Sequence, residues 1–224
     1  MIGKLAAVVL AGGLALGACS WIEPHPPNVG TFVQPEPVLT LSNVATVAPD
    51  ACTSAGLRVA ADVAVPRYDR AKVFGGWRSW TGHRGQDTRD RILDRDLREE
   101  QLDARGEATY GVLTDPYTGA TVVGDPDELV QIDHVYPEHL ALATGAANWS
   151  AEERREFAND DGNLLAVSAR GKFGNEAKGE RGPEAFLPPV HEKAYVALFA
   201  TTARKYHLTI SPARKAAIDQ VCRA

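Results

Sequence analysis

The sequence predicts an α+β domain that follows a processing signal and a tether. Three observations carry this expectation. Short β-prone runs and helical periods are interspersed with no βαβ repeat. Residues 19–50 hold six prolines and no sustained helical period. The 224 residues, 44% hydrophobic and 24% charged, match an ordinary folded chain with length for one core. The formal net charge of −5 does not mark a nucleic-acid binder, although phosphate contacts need only a locally basic surface.

Lys4 precedes an apolar run from Leu5 to Leu16 that is too short to span a bilayer and reads as a signal-peptide core. The run ends in Leu16-Gly17-Ala18-Cys19, which resembles a bacterial lipobox. That resemblance implies cleavage before Cys19, acylation of its thiol and an extracytoplasmic chain held on the cell membrane by lipid. An ordinary signal peptide with an incidental Cys19 is the alternative. The expected organisation is a signal over residues 1–18, a Pro-rich tether over 19–50 and a folded domain over 51–224. With Cys19 acylated, Cys52 and Cys222 are left as an even pair in an oxidising compartment. They are expected to bond; two free thiols are the other reading.

Within the domain, Arg89 to Leu102 is rich in helix formers, with Ile92, Leu93 and Leu97 as an apolar stripe. Two β-prone runs between Tyr110 and Val123 flank Asp115-Pro116-Tyr117-Thr118-Gly119, a hairpin turn by its Pro and Gly. Leu129 to Val135 reads as a strand. Ser150 and Glu153 form a capping box opening a helix to about Asn159. Asn163 to Val167 is a short apolar strand, His191 to Tyr206 a helix, and Pro212 sits where a last helix would begin.

The chemistry-bearing stretch runs from Gln131 to Pro189. It opens with Ile132-Asp133-His134-Val135-Tyr136-Pro137, continues through Asn163-Leu164-Leu165 and reaches Asn175-Glu176-Ala177-Lys178. A strand ending in Asp-His sets a hard oxygen donor beside an imidazole. Asn175 and Lys178, three apart, are neighbours on one helix face. A carboxylate and an amide oxygen suit Mg²⁺, with Mn²⁺ as the alternative. A neutral imidazole suits deprotonation of water. The pattern fits metal-assisted hydrolysis.

At these residues the sequence resembles the HNH, or ββα-metal, nuclease superfamily. More closely, it resembles a secreted actinobacterial HNH family whose domain is shared with the C-terminal part of GmrSD-type restriction endonucleases. The likeness extends through Tyr68-Asp69-Arg70, Asp87-Thr88-Arg89, the Asp115 to Gly119 turn, Phe157-Ala158-Asn159-Asp160 and Leu187-Pro188-Pro189. It implies a ββα-metal core with additional helices and a β-hairpin, and cleavage of DNA, with RNA as the alternative. Asp133 and Asn175 would hold the metal, and His134 would be the general base. Asn163 would orient the loop or the imidazole, and Lys178 and Arg89 would neutralise phosphate. The interval from Asn163 to Asn175 is longer than in those relatives, and Gln86 and Lys193 stand where they have cysteines.

Other readings compete. Asn163 also suits the turn after Asp161-Gly162, and Lys178 also suits a solvated surface. Residues 67–98 carry nine Lys or Arg against five Asp, with Trp77 and Trp80 among them. That composition suits phosphate and base contacts, or equally a segment laced with ion pairs. A non-catalytic envelope module that binds nucleic acid on the same scaffold is the rival function. No protein partner can be inferred.

Overall fold

The computed structural model describes residues 51–223. The apolar run at Leu5 to Leu16, the lipobox-like Cys19 and the Pro-rich stretch lie outside the described residues. Among the described residues no helix is long and apolar enough to cross a membrane.

The architecture is α+β, with seven strands in three small sheets and eight helices among the described residues. At its centre β5 (Val130–His134) pairs antiparallel with β6 (Leu164–Ser168), His134 standing opposite Leu164 and Asp133 opposite Leu165. The four residues Leu164 to Val167 are all buried because this ribbon has protein on both faces. Leu164 and Ala166 join one apolar cluster with Ile92, Leu93 and Leu113. Leu165 and Val167 join a larger one with Phe157, Tyr195, Phe199 and Ile218. Alternation along the strand thus divides one element between two cores. The free edge of β6 is covered as well. Asp96 accepts the amide of Ala166 at 2.9 Å, and Arg95 donates to the carbonyl of Leu164 at 2.7 Å.

Helix α1 (Arg70–Phe74) and helix α2 (Thr88–Asp96) precede the strands, α2 opening on a capping box between Asp87 and Asp90. The helix expected over Arg89 to Leu102 ends at Asp96. Residues Leu97–Leu102 leave it as β2, because β3 (Ala108–Thr114) offers them an antiparallel partner. Backbone pairing across the chain overrides local helix propensity there. The Asp115 to Gly119 turn joins β3 to β4 (Thr121–Gly124), so the expected hairpin is part of a three-stranded sheet.

Helix α3 (Pro126–Leu129) leads into β5, and α4 (Glu138–Thr144) leaves it. Helix α5 (Ala151–Ala158) carries the Ser150–Glu153 capping box, both of its hydrogen bonds formed. After β6 the six residues 169–174 turn back on themselves before α6 (Asn175–Lys178), with the amide of Glu176 donating to the carbonyl of Ala169. A Cβ on Gly174 would stand 2.3 Å from the carbonyl oxygen of Arg170, so only glycine fits the tightest point. The lengthened interval is absorbed here.

Helix α7 (Glu192–Lys205) is buried over most of its surface, and α8 (Pro212–Arg223) begins on its proline. A two-residue parallel pairing of β1 (Arg58–Val59) with β7 (Thr209–Ile210) ties the start of the domain to its end. Cys52 and Cys222 form a disulfide with their Cα atoms 5.4 Å apart. Arg214, 1% exposed, is held by paired hydrogen bonds to both Asp62 and Glu184.

Candidate active site

The last two residues of β5 open onto a cavity of about 230 Å³ lined by Asp133, His134, Glu138, Asn175, Arg70 and Trp77, among others. Neighbours on a regular strand face opposite ways. Here His134 is the final strand residue, and the chain turns at Pro137 into α4, so both side chains reach the same space.

Asn163 makes that turn. Its Oδ1 accepts the amide of Tyr136 at 2.8 Å, its Nδ2 donates to the Tyr136 carbonyl at 3.1 Å, and its own carbonyl accepts the amide of Val135. Fully buried, it replaces the strand pairing that stops at His134 and does not line the cavity.

The imidazole of His134 is fixed by its edge. Nε2 lies 2.9 Å from the carbonyl oxygen of Ala158, which can only accept, so Nε2 carries the proton and Nδ1 has the lone pair. No hydrogen-bond partner for Nδ1 is present among the described residues. Burial pushes the ring's pKa down to about 3, with the charges of Arg70 and Lys178 acting the same way and the Ala158 hydrogen bond opposing. The ring is therefore a neutral base at physiological pH. Glu138, in the first turn of α4, places Oε1 3.5 Å from Nε2 and is bound through both oxygens to Arg70, at 2.5 and 2.9 Å. Burial raises the Glu138 carboxyl, against the pull of Arg70.

Asp133 is 4% exposed, and both of its oxygens are engaged. Oδ1 accepts from the Lys178 ammonium at 3.0 Å, and Oδ2 accepts from the Tyr117 hydroxyl. Lys178, with no exposure, also donates to the carbonyl of His134 at 2.9 Å. Burial raises the Asp133 carboxyl, while Lys178 and Tyr117 hold it down. The buried charge is thus paired and hydrogen-bonded, as it must be to remain ionised. Asn175 lines the cavity from the first turn of α6 and donates from Nδ2 to Gln131 at 2.8 Å.

This arrangement can be tested for a divalent ion. The carboxylate of Asp133 and the amide oxygen of Asn175 are hard donors on one cavity, which suits Mg²⁺ chemically. Yet each Asp133 oxygen already accepts a hydrogen bond, and among the described residues no three His, Cys, Asp or Glu side chains are grouped to hold a metal ion. As placed, the side chains do not fit an ion on Asp133. The cation that Asp133 holds here is the Lys178 ammonium.

Four of the residues expected from sequence therefore gather at the end of β5: Asp133, His134, Asn175 and Lys178. Asn163 lies under the turn. Arg89 lies elsewhere, with its guanidinium 3.0 Å from Asp127 and near the carbonyl of Pro126. The basic segment is largely ion-paired, but mostly with distant carboxylates: Arg70 with Glu138, Arg78 with Glu152 and Arg91 with Asp161. Arg70, Trp77, Tyr117 and Glu138 were not singled out as site residues. Arg70 and Tyr117 stand in blocks read as family likeness or turn, and nothing local tells that their side chains reach His134 or Asp133.

The model of the C-terminal domain of GmrSD restriction endonucleases matches residues 86–171. That match takes in Asp133, His134 and Asn163 and stops before Asn175 and Lys178. The chain is also 33% identical over 195 residues to an "Uncharacterized secreted protein" of Arthroderma benhamiae, covering 86% of this chain and 93% of that protein. No solved structure matches. The chain belongs to the family of that secreted protein and carries within it a segment similar to the GmrSD C-terminal domain.

Proposed function

We propose that the protein is an extracytoplasmic endonuclease of the HNH type that hydrolyses phosphodiester bonds of DNA, with RNA as the alternative. The observation that carries this reading is the His134 ring, neutral, with Nε2 committed to Ala158 and the Nδ1 lone pair unengaged, on a cavity that Asp133 and Asn175 also line. In the reaction, Nδ1 takes the proton of the attacking water, and the Ala158 carbonyl shares the charge that develops on the ring. Arg70, 46% exposed, is a cation that lines the cavity, and Lys178, buried on Asp133, is a second positive charge beside it for phosphate. The antiparallel β5–β6 pair followed by α6 supports a ββα-metal assignment, as does the GmrSD-like segment.

Dependence on Mg²⁺ or Mn²⁺ belongs to the same proposal, as a property of the substrate-bound state. It requires Lys178 to leave Asp133 for the phosphate. An extracytoplasmic location is supported by the secreted relative and by the Cys52–Cys222 disulfide. Attachment to the membrane through lipid on Cys19 is proposed from the lipobox-like sequence alone.

The test is incubation of supercoiled plasmid and of RNA with purified domain, with Mg²⁺, with Mn²⁺ and with EDTA. Wild type is expected to nick in metal and not in EDTA, and His134→Ala to be inactive with its fold intact. Wild-type-like cleavage by His134→Ala would remove the base. The engaged state of Asp133 favours a second reading, a nucleic-acid-binding module without turnover. Retained binding with no nicking in any metal decides for it.

A further inference from the structure

A base works only if its lone pair is held toward the substrate, and one hydrogen bond leaves an imidazole free to rock about that bond. Two rings restrict His134 further. Trp77 lies nearly parallel to it, 10° between planes and 5.9 Å between centroids, and Phe157 does likewise at 12° and 6.2 Å. Phe157 is fully buried and belongs to the larger core, whereas Trp77 is half-buried on the loop after α1. Core packing already fixes Phe157. Trp77 packs against the smaller cluster around Ile92 and Leu93, and a cation adds to that hold.

The guanidinium of Arg70 stands 5.2 Å from the Trp77 ring centroid, within cation–π range. Arg70 is itself bound through two hydrogen bonds to Glu138, whose Oε1 returns to within 3.5 Å of His134 Nε2. His134, Trp77, Arg70 and Glu138 therefore form a closed circuit, drawn from β5, a loop, α1 and α4, around one side of the cavity. The indole N–H of Trp77 has no hydrogen-bond partner among the described residues, so the contribution of Trp77 lies in its ring face.

We infer that Trp77 is a positioning residue for His134. Braced by Arg70, its ring keeps the imidazole in one plane, with Nε2 on Ala158 and the Nδ1 lone pair held in one direction. This rests on His134 acting as the base, and it adds that a residue outside the Asp-His…Asn…Asn..Lys pattern sets the efficiency of that base.

Two readouts test it. On a fluorophore–quencher duplex with Mn²⁺, Trp77→Ala is expected to lower kcat about tenfold or more with KM changed less than about twofold, because only ring placement is lost. Trp77→Phe, which keeps a ring face, is expected to recover kcat to within about threefold of wild type. Separately, long-range proton–nitrogen spectra of the imidazoles at neutral pH report the tautomer without any need for turnover. His134 is assigned by its absence in His134→Asn. A single Nε2–H tautomer is expected in wild type and in Trp77→Phe, and an averaged signal in Trp77→Ala. Should Trp77→Ala fail to fold, Trp77→Leu, which keeps apolar volume without a ring plane, replaces it.

A fixed tautomer in the variant lacking the ring overturns the inference. A rise in KM alone also overturns it, since Trp77 would then stack on substrate. So does Trp77→Phe behaving no better than Trp77→Ala. A wild type that cuts nothing overturns the nuclease reading instead, and the imidazole spectra still decide the role of Trp77.

Discussion

Lys178 Nζ donates to Asp133 Oδ1 at 3.0 Å from a position with no solvent exposure, behind a carboxylate that lines the His134 cavity. Both groups come from short elements, the end of β5 and the last residue of the one-turn helix α6. The bond ties these two elements together. The pair therefore has a structural consequence whatever its part in chemistry.

Removing the ammonium leaves a buried carboxylate whose remaining partner is the Tyr117 hydroxyl. Lys178→Met is expected to lower stability by about 3–5 kcal/mol in urea unfolding. The Asp133→Asn, Lys178→Met double variant is expected to recover part of that, since no charge is left uncompensated. A double variant less stable than the sum of the two single losses would show that the ion pair is not the linkage.

The same pair sets the response to metal. Without nucleic acid, Mn²⁺ titration of wild type by calorimetry is expected to show no tight binding, because an ammonium already holds Asp133. Lys178→Met is expected to bind Mn²⁺ more tightly, and the double variant with Asp133→Asn to lose that gain. Tight binding by wild type alone would mean that the ion sits on other donors.

His134 has a pKa pushed from 6.5 down to about 3 by burial. Between those values the unfolded chain takes up a proton that the folded chain refuses, so this residue's contribution to stability is whole above pH 6.5 and falls as pH drops toward 3. The buried carboxyls of Asp133 and Glu138, raised by burial, act in the opposite sense, while Arg70 and Lys178 face the ring as fixed positive charges. The difference between wild type and His134→Gln isolates the effect. Wild type is expected to lose more stability from pH 7 to pH 4, and parallel curves would refute it.

Asn163 satisfies the amide and the carbonyl of Tyr136 with one side chain. Asn163→Ala strands both groups in the interior and is expected to cost about 3 kcal/mol. Activity is expected to fall further than folding does, because the turn that carries His134 into the cavity loses its staple. Denaturant melts and kcat measured on the fraction that remains folded separate the two.

The disulfide joins residues 170 apart. Cys52→Ser or Cys222→Ser is expected to destabilise by about 5 kcal/mol on the loop-entropy estimate. Wild type under reductant should fall to the same value, and no change on reduction would contradict the bond.

Much of this was legible in the sequence where a local pattern has one physical reading. The Ser150–Glu153 capping box, the turn between β3 and β4, the strand ending at His134 and the start of α8 on Pro212 are of that kind. The pairing of Cys52 with Cys222 followed from counting thiols. What could not be read depends on contacts between distant parts of the chain. Leu97 to Leu102 looks helical by composition and is a strand because β3 lies beside it. Arg70, Arg78 and Arg91 choose Glu138, Glu152 and Asp161 over the aspartates interleaved with them. Tyr117, inside a turn explained by its Pro and Gly, proves to reach Asp133. No local period announces a hydroxyl that arrives from a neighbouring sheet.

The Cα atoms of Cys52 and Cys222 are 5.4 Å apart, and β1 runs beside β7 just inside them. Entry and exit of the fold are thus one place on its surface. A short Gly-Ser splice there would let the chain be reopened at an exposed loop such as that around Gly106, yielding a permuted protein with the His134 cavity untouched. A fusion partner or a solid support coupled at the original ends would leave the opposite side of the fold free.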